Sequence, residues 1–64
     1  MKNRIKELRK QSGLRQEDMA KLLSVTRQTI IAIENDKYNP TLELAMKIAK
    51  LLNCPVEEIF FLDN

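Results

Sequence analysis

Only three residues, Ser24-Val25-Thr26, separate two short segments that each carry helical periodicity, and this spacing constrains the chain more than any other feature. The first segment, Gln16 to Leu23, sets Met19, Ala20 and Leu23 on one face. Glu17 and Asp18 fall in its first turn, where the helix macrodipole favours negative charge. The second runs from Arg27 to about Asn35 with Ile30 and Ile33 inward, and Thr26 offers its hydroxyl as an N-cap. Two helices joined by so short a turn cannot lie antiparallel and must cross steeply. The inner residues suit that crossing. Ala20 is small where the second helix must come close, and Leu23, Val25, Ile30 and Ile33 form a wedge between the two. A corner of two helices that merely packs satisfies the same spacing, so other features must choose between a structural and a functional reading.

Charge is the first of these. The 64 residues carry 11 Lys+Arg against 9 Asp+Glu, a formal charge of +2. Residues 1–37 hold nine bases against five acids, +4, and residues 38–64 hold Lys47 and Lys50 against Glu43, Glu57, Glu58 and Asp63, −2. The molecule therefore has a basic end, and a sequence pI of 8.9 falls just under the ~9 that flags nucleic-acid binding. A solvated surface of mixed sign is the plainer reading of the same numbers. Catalysis has little to work with. There is no His, the lone Cys54 has no base partner, and no Gly-rich phosphate loop or metal-ligand spacing occurs. No enzyme activity, metal or cofactor is expected, and Cys54 reads as a small, buried apolar residue. The longest apolar run is four residues, as at Ile59 to Leu62, so neither a signal peptide nor a membrane span is expected, and the lone cysteine suits a reducing cytoplasm.

Three further helices complete the reading. Asn3 can cap one near residues 4–12, with Ile5 and Leu8 on its inner face and Gly13 as a left-handed stop. The turn formers from Asn35 to Pro40 make a loop, and Thr41 caps a helix whose Leu44, Ala45, Ile48, Ala49 and Leu52 recur at helical spacing up to Asn53. Pro55 fits the first position of a last helical turn through Phe60, leaving residues 61–64 as a tail. No strand is expected. About 40% of the unfolded surface of so short a chain stays exposed after folding, so one modest core must hold a single domain, residues 1–64, in an all-α, compact five-helix arrangement.

The linked motifs Gln16-Glu17-Asp18-Met19-Ala20, Val25-Thr26-Arg27-Gln28-Thr29-Ile30, Glu34-Asn35, Asn39-Pro40 and Leu42-Glu43-Leu44-Ala45 resemble the Cro and phage-repressor class of helix-turn-helix regulators, also called the xenobiotic-response-element family. The resemblance spans residues 3–62. It implies a five-helix bundle of the lambda-repressor-like type, with a helix-turn-helix at 16–35 whose second helix lies in the major groove of double-stranded DNA. Base-reading positions fall on Arg27, Gln28 and Ala32, with Thr29 nearby; Arg27 can grip guanine O6 and N7, Gln28 adenine N6 and N7, and Ala32 a thymine methyl. Phosphate contacts fall on Gln16, Lys37 and Asn39, with Tyr38 and Arg15 beside them. Arg9 and Glu34 match a buried structural salt bridge. Three positions depart from the family: Arg15 for Thr, Ser24 for Gly in the turn and Asp36 for Gly after the third helix. The last two are asked to take left-handed backbone angles. Ile31 stands where the family favours polar or basic residues.

The family also implies a homodimer that represses from a palindromic operator, without a small-molecule ligand, in the cytoplasm at the nucleoid. Residues 54–64 are expected to supply the dimer interface through Val56, Ile59, Phe60, Phe61 and Leu62. The competing reading is a protein-binding module of the same fold, an antitoxin or anti-repressor, that docks a partner through those apolar residues.

Overall fold

The first four helices end in the same way, and those ends fix the path of the chain. The computed structural model describes residues 1–63, with α1 (Ile5–Gln11), α2 (Gln16–Leu23), α3 (Arg27–Glu34), α4 (Leu42–Leu52) and α5 (Val56–Ile59) in chain order. Asn64, the last residue of the expected dimer segment, lies outside the described residues. After α1 to α4 come Gly13, Ser24, Asp36 and Asn53, all at positive φ of 73, 58, 60 and 54°. At each end, the next residue's N–H returns to a carbonyl five residues back: Leu14 to Arg9, Val25 to Ala20, Lys37 to Ala32 and Cys54 to Ala49, at 2.8 to 3.1 Å. These are Schellman endings, which satisfy carbonyls that the helix itself leaves open.

The starts are equally specified. Thr26 Oγ1 accepts from the Thr29 N–H at 3.2 Å, and Thr41 Oγ1 from the Leu44 N–H at 3.2 Å, so both expected caps form. Asn3 Oδ1 accepts from the Ile5 N–H at 3.1 Å although Arg4 holds the formal cap position. At α2 the usual direction is reversed: Asp18, inside the helix, accepts from the backbone N–H of Arg15 at 2.9 Å.

The inner faces meet in one core. Ile5, Met19, Ile30, Ile33, Ile48 and Ile59 are essentially inaccessible to solvent, and Ala20, Leu23, Leu44, Ala45, Leu52 and Phe60 close around them. Burying one such large side chain contributes about 1.5–3 kcal/mol, so this single cluster carries most of the stability of the chain. Val25, the expected wedge residue, is half-buried at its edge.

Two expectations need correction. A strand pair is present: β1 (Lys2–Asn3) and β2 (Phe60–Phe61) run antiparallel, with Lys2 opposite Phe61 and Asn3 opposite Phe60, and the Arg4 N–H reaches the Ile59 carbonyl at 2.8 Å. Strands two residues long carry no alternation that a sequence can display. Consequently Phe60 is a strand residue and not the end of α5, and Pro55 sits one position before the helix, as its cap.

Candidate nucleic-acid interface

Thr26 closes the turn and launches α3 with its first-turn side chains outward. Arg27 and Gln28 are exposed, Thr29, Ile31 and Ala32 are half-buried, and Ile30 and Ile33 anchor the opposite face in the core. Arg27, Gln28 and Ala32 thus lie on the outer side of the helix. Thr29 is partly engaged, its hydroxyl 3.0 Å from that of Thr26. Ile31 is less exposed than its position in the sequence suggests.

Beneath this surface runs a polar chain. Arg9 Nε donates to Glu34 Oε2 at 2.7 Å, with side chains only 8% and 3% exposed. Arg9 also donates from Nη1 to the Leu14 carbonyl at 2.8 Å, which ties the loop after α1 to the end of α3. Glu34 Oε1 accepts from Gln16 Nε2 at 3.0 Å, and Gln16 Oε1 in turn lies 3.4 Å from both Nε and Nη2 of Arg27. Gln16, expected at a phosphate, therefore spends its side chain inside the protein.

The remaining positions flank α3. Lys37, Tyr38 and Asn39 are exposed in the loop that follows it, and Tyr38 borders a shallow groove with Leu23, Val25, Thr29 and Leu44. Asn3 Nδ2 donates to the Ile33 carbonyl at 2.8 Å and to Asp36 Oδ1 at 3.2 Å, bracing the start of that loop. Nothing in the sequence signalled this brace, because its partners lie about thirty residues apart. Arg15 is fully exposed but its guanidinium pairs with Asp18 at 3.2 Å and Glu17 at 3.3 Å, so its charge is largely balanced locally. The Arg15 backbone N–H, and then its guanidinium, hold the Asp18 carboxyl below the ordinary aspartate value, while the same contact raises the guanidinium. Arg4 is raised likewise by its hydrogen bond to Glu7.

At the far end, Ile59 and Phe60 belong to the core of the single chain and offer no contact surface, which corrects their expected place in a dimer interface. Phe61 and Leu62 are exposed and Val56 half-buried.

The profile of the helix-turn-helix family matches residues 5–59, from the start of α1 to the end of α5. The chain belongs to the Cro/C1-type helix-turn-helix family of DNA-binding transcriptional regulators. An uncharacterised HTH-type transcriptional regulator of Methanocaldococcus jannaschii is 53% identical over 64 residues, covering all of this chain and 97% of the relative. The regulator YgzD of Bacillus subtilis is 46% identical over 64 residues, with the same coverage of both chains. Among solved structures, the restriction-modification controller protein C.AhdI from Aeromonas hydrophila superposes with a TM-score of 0.80 at 33% identity, over 89% of this chain and 86% of that one. Membership gives α2 and α3 their role as the DNA-binding unit of this Cro/C1-type regulator, and the family is not enzymatic. Among the described residues, no group of acidic, Cys or His side chains could hold a metal ion, and no helix is long and apolar enough to cross a membrane.

Proposed function

We propose that this regulator binds a palindromic operator as a homodimer, acts from it as a repressor, and reads each half-site with α3 in the major groove. The observation that carries this reading is the face of α3: core-anchored by Ile30 and Ile33, it leaves Arg27 and Gln28 outward at its N-terminal end and small Ala32 one turn on. Arg27 has the donors for guanine O6 and N7, Gln28 the donor and acceptor for adenine, and Ala32 room for a thymine methyl, with Thr29 beside them. Lys37, Tyr38 and Asn39 are placed to meet the phosphate backbone next to that helix, while Arg15 and Gln16, both engaged within the protein, contribute less directly.

One such domain reads few base pairs, so useful affinity calls for two copies spaced about 34 Å apart along the duplex. The contact surface we assign is the shallow apolar groove bordered by Met1, Pro40, Leu42, Val56 and Leu62 and floored by Phe60. Leu42 is 75% exposed and Leu62 81%, unusual for leucines of a small lone domain. That face keeps the Val56 and Leu62 of the sequence reading and replaces its core members with residues from the other end of the fold. The same groove is what a protein partner would use if the chain served as a docking module.

Selection from a random duplex pool at about 150 mM salt, where sequence-independent phosphate attraction is weakened, tests the reading. Enrichment of a palindrome with half-sites one helical turn apart is expected. Recovery of no sequence would overturn it in favour of the docking module.

A further inference from the structure

Gln16 stands between the buried ion pair and the first turn of α3, and its two amide atoms face different residues. Its nitrogen donates to Glu34 Oε1 at 3.0 Å, and its oxygen lies 3.4 Å from two nitrogens of Arg27. The Glu34 carboxylate, also held by Arg9, can only accept hydrogen bonds. An amide placed against it has one satisfactory orientation, nitrogen inward and oxygen outward. The outward atom is thus an acceptor, and Arg27, which carries donors alone, is its complement. We propose that Gln16 is a positioning residue: Glu34 sets the direction of its amide, and that amide holds Arg27 in the rotamer that meets a base edge. The proposal rests on the reading of Arg27 as a base-contacting residue.

The arithmetic of donors permits both tasks. Gln16 Oε1 engages one N–H on Nε and one on Nη2, which leaves both on Nη1 and the second on Nη2 for a two-bond grip on guanine. At 3.4 Å in an exposed position the contact is weak in the free protein, and it strengthens when DNA excludes water from the same spot. Gln16 therefore affects binding through Arg27 and not by a separate contact of its own.

A double-mutant cycle tests this on the palindrome selected by the wild-type protein and on the same duplex with the Arg27 base pair replaced. Gln16→Met keeps the length and helix preference of the side chain and deletes both amide contacts. It is expected to lower the preference between the two duplexes about tenfold, with affinity for the replaced duplex held within about twofold. In the Arg27→Ala background it should change neither. A wild-type preference in Gln16→Met overturns the proposal, and so does equal weakening of both duplexes in both backgrounds, the signature of an independent phosphate contact. A second measurement needs no DNA: in nitrogen-15 spectra, Gln16→Met should speed water exchange of the Arg27 Nε–H, and Glu34→Gln should shift the Gln16 side-chain amide. An unchanged Arg27 signal in Gln16→Met also overturns the proposal. Should the wild type select no duplex, the reading of Arg27 itself fails, and the spectra still decide whether Gln16 holds it.

Discussion

Ser24, Asp36 and Asn53 each do what glycine does at the end of a helix, and they do it at different cost. A side chain in the left-handed region costs about 1–2 kcal/mol, less for Asn and Asp, whose short polar groups tolerate it. Ser24 has no such advantage. Part of any gain from glycine is lost to its greater freedom in the unfolded chain, so Ser24→Gly is expected to stabilise by a net of about 0.5–1 kcal/mol, visible as a melting point a few degrees higher. Asp36→Gly should gain less, because Asp36 also accepts from Asn3. The opposite extreme is Glu34. Removing it leaves the Arg9 guanidinium buried without its partner, at a cost of about 3–5 kcal/mol, enough to unfold so small a domain. Glu34→Ala should therefore lose its cooperative melt, and a melt equal to wild type would refute the role given to the pair. Asp18 has a pH signature. Its carboxyl is held below the ordinary value, so its stabilising contact is fully present above that value and is lost as pH falls through the folded one. The melting points of wild type and Asp18→Asn should differ by a constant amount above about pH 5 and converge below the ordinary aspartate range.

Among the elements, α3 is the one whose start decides function. Thr26 both ends the turn and caps the helix, so Thr26→Ala should destabilise by about 1 kcal/mol and weaken DNA binding beyond what that loss of folded protein explains. A variant with unchanged affinity would mean that the first turn of α3 needs no fixed start. The five helices were legible in the sequence because each carries local signals within a few residues: Thr26 and Thr41 as caps, Gly13 as a stop, isoleucines at helical spacing. The strand pair was not. Lys2–Asn3 meets Phe60–Phe61 across almost the whole chain, and no local pattern encodes such a pairing. The same reason separates what was readable at the site from what was not. Outward Arg27 and Gln28 follow from the periodicity of α3, whereas the inward turn of Gln16 and the brace from Asn3 depend on tertiary neighbours.

For the molecule as a whole, the basic N-terminal part and the apolar groove at Leu42 and Leu62 divide the surface into two tasks. If the groove joins two copies, wild type should sediment at twice its 7.5 kDa chain mass, and Leu62→Glu should sediment as a folded single chain with much weaker operator binding. A Leu62→Glu protein that remains dimeric would place the interface elsewhere. The central claim, that α3 reads sequence in the major groove, is tested most directly by titrating wild type and Arg27→Ala against the selected palindrome and its single-base-pair variants at fixed salt. The account predicts that Arg27→Ala loses about 1–3 kcal/mol of discrimination at one symmetric pair of positions and keeps its preferences at the others. Uniform weakening on every duplex, with the preference at each position unchanged, would contradict it.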